Sequence, residues 1–346
     1  MKAAVLEGLE KITVKEVETP KLEDDRGLLL KMKSCAVCGS DLRIYHYGNP
    51  RVKPPQIIGH EIAGEVAEVG SKVNRFKVGD RVAIGADVPC GECAFCRDGQ
   101  GNNCEINYAM GYQFPGGFAE YLLVDPLVIT HGPIHKIPGE LGYDEAALAE
   151  PLACCINGLE LSWLSLGDTV AIIGAGPVGC MMAELARYMG ARKVMISQRS
   201  KTRLEMAKKY DIDVVISATE EDFTERVMEE TDGMGADVVL TATSSLEAQK
   251  QALTVIKNRG RVNFFAGLPK GTDPIMLDTN MIHYKECYLF GSHGSTPRHH
   301  RMALEFLASG RINARKFISH NFPLDQIMEA FDTVESRKGM KVVINP

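Results

Sequence analysis

Four cysteines lie close together in the segment PCGECAFCRDGQGNNC, at Cys90, Cys93, Cys96 and Cys104. Four thiolates at this spacing can complete a tetrahedral zinc site and leave no open coordination position, so the role predicted for the metal is structural. Iron–sulfur clusters also use a CxxCxxC pattern, but their fourth cysteine typically precedes a proline, whereas Cys104 precedes Glu105. Disulfides are a third interpretation, which a reducing compartment disfavours. The spacing therefore favours a structural zinc ion.

A second group of metal-ligating residue types is spread over three short motifs: Cys38 in CGSD, His60 and Glu61 in GHE, and Glu150 in AEPL. A thiolate, an imidazole and a carboxylate fit a zinc ion that keeps one position open for water or substrate, with Glu150 as a further oxygen ligand. Each of these residues taken singly is more often packed or merely polar. Their types alone are therefore weak evidence for a catalytic metal site.

The glycine-rich motif GAGPVG contains Gly174, Gly176 and Gly179, with Pro177 and Val178 between the last two. Glycines at these positions let the backbone turn tightly and approach a pyrophosphate, whose charge then lies at the amino end of a helix. The motif follows an apolar strand pattern and opens a helical one, which is the context that dinucleotide binding requires. A tight packing turn without a ligand is the alternative.

The residue that selects between NAD and NADP is expected about 20 residues further on, at the end of the next strand. No carboxylate stands there, and a neutral Gln198 is followed by Arg199, Lys201 and Arg203. A carboxylate would repel a 2′-phosphate, whereas a guanidinium can bind it through charge-assisted hydrogen bonds. This segment favours NADP over NAD, and a solvated basic start of a helix is the alternative.

The elements that must position these residues change character along the chain. Residues 1–141 show short alternating or apolar runs separated by Gly and Pro, which predicts an irregular, mostly β domain. Residues 144–166 have helical periodicity and predict a connecting helix. Strands are predicted at 169–173, 193–196, 214–216, 237–241 and 261–265, with helices at 177–189, 201–210, 220–230 and 245–257. This alternation predicts a parallel sheet covered on both faces. The last stretch predicts helices at 301–309 and 324–334 and a strand at 341–344.

Length and charge limit the classes of function. A chain of 346 residues is long enough for two domains, because single cores rarely grow beyond roughly 250 residues. The net charge is −6, and both signs are interspersed, so no broad basic face is predicted and nucleic acid is not an expected partner. The N-terminus shows no signal peptide pattern, and no run of about 18 apolar residues occurs. We therefore expect a cytoplasmic protein that does not enter a membrane.

The motifs GHEIAGEVAEVG, CGSD and GAGPVG, together with the cysteine lobe, resemble the zinc-containing medium-chain dehydrogenase family. The resemblance spans the whole chain and is closest to the sorbitol (polyol) and threonine dehydrogenase branch. It implies a GroES-like β catalytic domain at 1–152 and 291–346, with the structural zinc lobe at about 88–106. A Rossmann domain, which is a doubly wound parallel sheet, is implied at 153–290, with the active site in the cleft between the domains.

Carried over to this sequence, the resemblance makes Cys38, His60 and Glu61 the catalytic zinc site, with Glu150 as a ligand or close neighbour. Ser40 matches the hydroxyl residue that takes the proton of the substrate. Classical alcohol dehydrogenases have a cysteine at the position of Glu150, so this acid points to the polyol branch. The implied reaction transfers a hydride from a secondary hydroxyl of a polyol to the nicotinamide ring, whose chemistry belongs to the cofactor.

The sequence departs from the family at the usual end of the proton relay, where a histidine is replaced by Arg43. An arginine cannot give up a proton at working pH, so His46 or a chain of water molecules is the hypothetical replacement. Arg43, Arg51 and Lys53 also make this stretch basic, with no acid inside it. An anionic substrate such as a phosphorylated polyol explains this charge, and a solvated loop is the alternative.

Two other functions compete with polyol oxidation. Oxidation of an amino alcohol such as L-threonine shares the Cys, His and Glu pattern. A nonenzymatic nucleotide-binding redox sensor or scaffold needs only the four-cysteine lobe, so the retention of Cys38, His60 and Glu61 argues against it. By resemblance, Tyr45 and Phe118 line the substrate pocket, although aromatic residues in a β domain are more often part of the core. The resemblance also implies a homo-oligomer, a tetramer or a dimer.

Overall fold

The computed structural model describes residues 1–269, 271–272 and 274–346. Within these ranges the chain divides into two compact units. The terminal unit consists of Met1–Ala153 and Gly294–Pro346, and the central unit consists of Cys154–His293. No helix in these ranges is both long enough and apolar enough to cross a lipid bilayer.

The secondary structure alternates between strands and helices along most of the chain. The strands are β1 (Lys2–Gly8), β2 (Lys11–Glu16), β3 (Leu28–Ala36), β4 (Gln56–Ile57), β5 (Glu61–Val69), β6 (Arg81–Ile84), β7 (Asp87–Val88), β8 (Tyr108–Ala109), β9 (Tyr121–Val124), β10 (Ile134–Lys136), β11 (Thr169–Ile173), β12 (Lys193–Gln198), β13 (Val214–Ser217), β14 (Ala236–Thr241), β15 (Ile256–Phe264), β16 (Tyr288–Gly291), β17 (Ile318–Pro323) and β18 (Lys341–Asn345). The helices are α1 (Gly39–Tyr47), α2 (Ala94–Arg97), α3 (Pro126–His131), α4 (Tyr143–Ala147), α5 (Ala149–Leu161), α6 (Pro177–Tyr188), α7 (Lys201–Ala207), α8 (Phe223–Glu230), α9 (Leu246–Thr254), α10 (Thr279–Lys285), α11 (Pro297–Ala308) and α12 (Ile327–Glu335). Short 3₁₀ turns lie at Gly101–Asn103, Ala314–Lys316 and Leu324–Gln326.

The terminal unit is built on a sheet of order β10-β6-β5-β3-β18-β17, with β9 also pairing with β3. A smaller sheet of order β2-β1-β4 completes its β structure. The last strand of the chain, β18, lies antiparallel to β3 and parallel to β17. Residues from both ends of the sequence therefore form one sheet, as expected for a mostly β domain of this family.

The register of this sheet determines which residues meet at one end of β3. Ala36, the last residue of β3, pairs with Glu61 of β5 on one side and with Val343 of β18 on the other. The strand β3 is buried along nearly its whole length, since its leucines and Met32 are shielded from solvent. A rigid central strand thus holds β5 and β18 in fixed positions.

The core of the terminal unit packs between the sheet and helix α12. Leu30, Ile62, Ile84, Val342 and Phe118 are all fully buried in it. Burying a side chain of this size stabilises the folded state by about 1.5–3 kcal/mol. Because Phe118 belongs to this core, the structure supports the core alternative for this residue.

Two histidines of the terminal unit face each other where α11 packs on β10. The Nδ1 atoms of His135 and His300 are 3.0 Å apart, and their rings are stacked. Burial lowers the pKa of His300 well below its ordinary value. Burial, with a smaller effect of Arg75 and Arg301, lowers the pKa of His135 to about 4. Both rings are therefore neutral near pH 7.

The central unit is a parallel sheet of order β13-β12-β11-β14-β15-β16. All five residues of β11 are buried, as expected for a strand that is covered on both faces. The strand order runs outward from β11 in both directions, so the carboxyl ends of β11 and β14 form a topological switch point. The predicted doubly wound fold is confirmed.

Some predicted elements differ from those observed. The single helix predicted at 144–166 is interrupted at Leu148 and continues as α5 only to Leu161. Strand β15 begins at Ile256, five residues before the predicted strand, and contains a register shift against β14. The edge strand β16 and helix α10 were not predicted, because their short segments lack a clear periodicity.

Candidate active site

Cys38 lies between β3 and α1 and is the N-cap residue of α1. The carboxylate of Asp41, in the first turn of α1, accepts a hydrogen bond of 2.9 Å from the backbone N–H of Cys38. Asp41 is fully buried. The short motif CGSD is therefore a helix start whose aspartate fixes the backbone that carries the thiol.

His60 and Glu61 are brought to Cys38 by the start of β5, which pairs with the end of β3. The potential ligand atoms of Cys38, His60 and Glu61 all lie within 4.8 Å of one another. His60 and Glu61 are buried, at 4% and 0% exposure. The structure thus brings together three residues that the sequence places in two separate motifs.

The surroundings of His60 fit a metal ligand. Asp41 Oδ1 lies 3.2 Å from Nδ1 of His60, and Ser40 Oγ lies 3.3 Å from its Nε2. Burial lowers the pKa of His60, but the charge and hydrogen bonding of Asp41 outweigh burial and raise this pKa well above its ordinary value. A pocket that favours positive charge at this ring also suits a divalent cation. A carboxylate on Nδ1 holds the tautomer that leaves Nε2 available to the metal.

Lys341 of β18 is the charged neighbour of this cluster that the sequence analysis did not single out. Its ammonium group donates to both carboxylate oxygens of Glu61 and, at 3.4 Å, to the carbonyl of Val37. Burial lowers the pKa of Lys341, but the charges of Glu61 and Cys38 raise it above its ordinary value overall. In the sequence, Lys341 appears only as a lysine at the start of an otherwise apolar strand. This pattern does not predict that Glu61 is its partner.

Glu150 lies in the first turn of α5 and is 6% exposed. Burial, with smaller effects of Glu61 and Asp87, raises its pKa to about 7, and His60 acts in the opposite direction. The pKa of the Glu150 carboxyl group therefore depends on the charges of His60 and Glu61. Among the described residues, the group whose ligand atoms lie within 4.8 Å of one another consists of Cys38, His60 and Glu61 and does not include Glu150.

Tyr112 is a further neighbour that the sequence analysis missed. Its ring centroid lies 6.0 Å from that of His60. The preceding residue, Gly111, has a φ of 72° and packs against Gly59, whose carbonyl oxygen would lie 2.9 Å from an added Cβ. This close backbone contact carries Tyr112 to the cluster, and nothing local in the sequence predicts it.

The structure does not bring His46 to Ser40. Nδ1 of His46 lies 2.9 Å from a carboxylate oxygen of Glu10, and its Nε2 lies 3.1 Å from Glu335. The hydrogen bond that the ring donates to Glu10 raises the pKa of His46 above its ordinary value. Both nitrogens of this ring face carboxylates. The hydroxyl of Tyr45, the other residue suggested from this helix, donates to the carbonyl of Glu10.

The four cysteines of the lobe form a second compact group, and their sulfur atoms lie within 4.8 Å of one another. Strands β7 and β8 pair at the base of the lobe. Backbone N–H groups of Glu92 and Cys93 donate to the sulfur of Cys90, at 3.5 and 3.4 Å. Burial raises the pKa of Cys104, but hydrogen bonds from backbone N–H groups dominate and lower it to about 6. Burial instead raises the pKa of Cys96 to about 12, so the backbone N–H groups favour the thiolate, the form that binds zinc, only at some of the four positions.

The glycine motif lies at the carboxyl end of β11. Gly174 has a φ of 115°, and a Cβ on Gly179 would lie 1.9 Å from the carbonyl oxygen of Gly174. Gly176 is the N-cap residue of α6 and offers no side chain to the helix start, while Pro177 and Val178 form its first turn. The free N–H groups of this turn remain available to an anion.

The residues expected to select the cofactor lie at the end of β12. The side-chain oxygen of Gln198 accepts hydrogen bonds from the N–H groups of Arg199 and Ser200, at 2.8 and 3.3 Å. Arg199 is exposed, whereas Arg203 is buried, and its Nη1 would lie 2.9 Å from a Cβ on Gly176. Lys201 pairs with Glu220. Arg203 therefore lies against the glycine turn, and Arg199 remains the accessible guanidinium.

Comparison with known proteins agrees with this geometry. Residues 24–134 match the alcohol dehydrogenase GroES-like domain, and residues 177–309 match the zinc-binding dehydrogenase domain. D-arabitol-phosphate dehydrogenase of Enterococcus avium is 35% identical over 97% of this chain and 94% of its own length. L-threonine 3-dehydrogenase of Coxiella burnetii (strain Dugway 5J108-111) is 34% identical over 94% of both chains.

A solved structure from Sinorhizobium meliloti 1021, assigned as a zinc-binding dehydrogenase and bound to NADP, has a TM-score of 0.92. It is 32% identical, and the match covers all of this chain and 99% of that one. The family resemblance inferred from the motifs is thereby confirmed. The chain belongs to the zinc-containing medium-chain dehydrogenase family, in the branch of the polyol and threonine dehydrogenases, and is an oxidoreductase.

Proposed function

We propose that this chain transfers a hydride between a secondary hydroxyl of a polyol and NADP, at a catalytic zinc ion held by the terminal unit. The observation that carries the proposal is the buried group of Cys38, His60 and Glu61 beside the hydroxyl of Ser40. In this proposal the terminal unit is the GroES-like catalytic domain and the central unit is the nucleotide-binding domain.

Cys38 and His60 would hold the catalytic zinc ion. Glu61 and Glu150 would supply the further carboxylate ligands, either together or in exchange for one another. When bound, the zinc ion supplies charge that lowers the pKa of a hydroxyl, as it lowers that of water from 15.7 to about 7, and the nicotinamide ring supplies the hydride acceptor. Asp41 orients His60, and Lys341 balances the charge of Glu61. These two residues position the ligands and do not touch the substrate.

Ser40 is the residue proposed to accept the proton of the substrate hydroxyl. Its Oγ lies 3.3 Å from His60 Nε2. A chain of water molecules is proposed to take the proton on from Ser40 to the solvent. This route replaces the missing relay histidine without requiring His46, whose nitrogens face Glu10 and Glu335.

The four cysteines of the lobe would hold the second zinc ion, which has no open position and no role in the reaction. The cofactor would bind with its pyrophosphate at the start of α6, where Gly174, Gly176 and Gly179 leave the backbone accessible. Arg199 is proposed to bind the 2′-phosphate of NADP, and Gln198 keeps the end of β12 free of negative charge. The guanidinium of Arg203 packs against Gly176 of the glycine turn.

Oxidation of L-threonine is the second candidate function, because a relative with this activity in its name is 34% identical. A homo-oligomer, a tetramer or a dimer, is also proposed from the family alone. The test is a panel of initial rates with sorbitol, D-arabitol, their monophosphates and L-threonine, each with NAD and NADP, on protein of measured zinc content. We expect two zinc ions per chain and turnover of a polyol substrate with NADP. No turnover of any alcohol by protein with two zinc ions would refute the proposal.

A further inference from the structure

Arg51 is held next to the candidate active site, with no carboxylate partner among the described residues. Its guanidinium carbon lies 4.9 Å from the centroid of the Tyr112 ring. Its Nη2 donates to the backbone carbonyl of Asn107 and, at 3.4 Å, to the side-chain oxygen of Gln113. A carbonyl, an amide and an aromatic face fix the guanidinium in place, but none of them neutralises its charge.

Within residues 1–269, 271–272 and 274–346, Arg51 makes no ion pair, and its buried Nε has no hydrogen-bond partner. Arg187, Arg261 and Arg315 each pair with a carboxylate, whereas Arg75 and Arg81, like Arg51, donate to backbone carbonyls. Arg51 differs from these two because it lies on the aromatic neighbour of His60. A partly buried charge without compensation is costly, so an anion that binds there gains a strong interaction.

A second cation lies one helical turn from Ser40. Arg43 follows Ser40 by three residues on α1, so the two side chains lie on the same face of the helix, one turn apart. Arg43 is exposed, and it has no carboxylate partner in the part of the chain that the structure describes. No acidic residue occurs between Asp41 and His60. Positive charge is therefore concentrated around the proposed proton acceptor.

The position of Tyr112 connects this charge to the reaction centre. One face of its ring lies under Arg51, and its centroid lies 6.0 Å from that of His60, whose Nε2 is 3.3 Å from Ser40 Oγ. A single aromatic ring therefore separates Arg51 from the residues that would hold and deprotonate the substrate hydroxyl. A substrate bound at His60 through one hydroxyl can extend along this ring toward Arg51.

We propose that the substrate of this site is a polyol phosphate and that Arg51 binds its phosphate, with Arg43 as the second cation. The inference rests on the proposed function, because it assumes that an alcohol is oxidised at Cys38 and His60. A phosphate monoester carries a charge of about −1.5 to −2 near pH 7 and three acceptor oxygens, which suits two guanidinium groups. A carboxylate has a single charge and two oxygens, and it matches one guanidinium.

The test compares kcat/KM for D-arabitol, its monophosphate and L-threonine in the wild type and in Arg51→Met, which keeps the length of the side chain but removes the charge. We expect the wild type to prefer the phosphate ester over the free polyol by at least about 100-fold. The ratio of the two kcat/KM values is expected to fall roughly 10- to 100-fold in Arg51→Met, since a charged hydrogen bond contributes about 1.5–3 kcal/mol. Lys53→Met, which removes an exposed charge from the same segment, is the matched control and is expected to keep the ratio.

Three outcomes would overturn the inference. An equal loss on both substrates in Arg51→Met means that the residue only supports the fold. An equal change of the ratio in Lys53→Met means that diffuse charge, not Arg51, attracts the substrate. A preference for the free polyol or for L-threonine removes the phosphate assignment while the proposed dehydrogenase activity stands. Arg51→Lys and competitive inhibition by inorganic phosphate provide the same comparison if Arg51→Met fails to fold, with weaker inhibition expected in Arg51→Lys.

Discussion

Lys341 neutralises Glu61 across a separation of 280 residues, through hydrogen bonds to both oxygens of its carboxylate. The pair is buried, with side-chain exposures of 5% and 0%. It forms because β3 carries β5 on one side and β18 on the other, so that the last strand of the chain reaches the start of β5. The charge balance of the candidate metal site thus depends on the far end of the sequence.

Replacing Lys341 with methionine is expected to destabilise the zinc-free protein by about 3–5 kcal/mol, because without the metal it leaves the Glu61 carboxylate buried and unpaired. The double variant Lys341→Met, Glu61→Gln is expected to recover most of this loss. Urea denaturation of the protein at pH 7 measures both values. Lys338→Met, at an exposed position of the same segment, is the control. A loss below about 1 kcal/mol in Lys341→Met, a value typical of exposed ion pairs, would contradict the prediction.

Cys38→Ala and Cys96→Ala are expected to remove different zinc ions. Each variant is expected to retain one zinc ion per chain. Cys38→Ala abolishes turnover with little effect on the fold, whereas Cys96→Ala lowers the thermal stability because a structural zinc ion contributes directly to folding. Metal analysis and calorimetry on the same preparations distinguish them. Cys154→Ala, whose cysteine lies in neither group, is expected to keep both ions, and loss of the same ion in both test variants would refute two separate sites.

Arg199→Ala is expected to weaken NADP use selectively. Loss of charge-assisted hydrogen bonds to a 2′-phosphate costs about 1.5–3 kcal/mol each, which corresponds to an increase of roughly 10- to 100-fold in the KM for NADP. The KM for NAD is expected to change little, so each preparation contains its own control. Equal turnover of both cofactors by the wild type would contradict the assignment of Arg199.

The His135 and His300 pair is expected to make stability depend on pH. Burial holds both folded-state pKa values below the unfolded value of about 6.5, with that of His135 at about 4. The unfolded chain therefore binds more protons between these values, and the contribution of the pair is complete above about pH 6.5 and is lost as the pH falls toward 4.

His135→Gln is expected to flatten this dependence by up to about 1.4 kcal/mol per pH unit, in urea denaturation series between pH 4.5 and 7. His320→Gln, at a half-buried histidine of β17 outside this pair, is expected to leave the slope unchanged. The idea is wrong if the slopes of the wild type and of His135→Gln coincide.

The parts of the fold that follow from local pattern were predictable from the sequence. The central strands and the turn at Gly174 depend on short apolar runs and glycine positions. Four of the five predicted strands lie within two residues of their predicted bounds, and β15 begins five residues earlier than predicted. The partners of the candidate site depend on contacts between distant segments. Tyr112 reaches His60 only because Gly111 packs on Gly59, and Lys341 reaches Glu61 only through the register of β18.

Closeness in the sequence was a poor guide to the position of His46 relative to Ser40. His46 lies six residues from Ser40 on the same helix and was suggested as the relay, but a helix turns side chains at this spacing to different faces. The carboxylates of Glu10 and Glu335, from two other segments, hold its ring. The signal for Asp41 was present in the motif CGSD, yet its role toward His60 required the position of β5.

The division of the sequence between the two units has a consequence for biosynthesis. Domains generally form as units while the chain leaves the ribosome, amino-terminal parts first. Here the central unit is continuous, from Cys154 to His293, whereas the terminal unit needs residues from Gly294 onward. Glu61 emerges 280 residues before its partner Lys341. The part of the chain that is synthesised first therefore completes its fold last. A nascent chain can fold the central unit while the candidate metal site still lacks the counter-charge of Lys341.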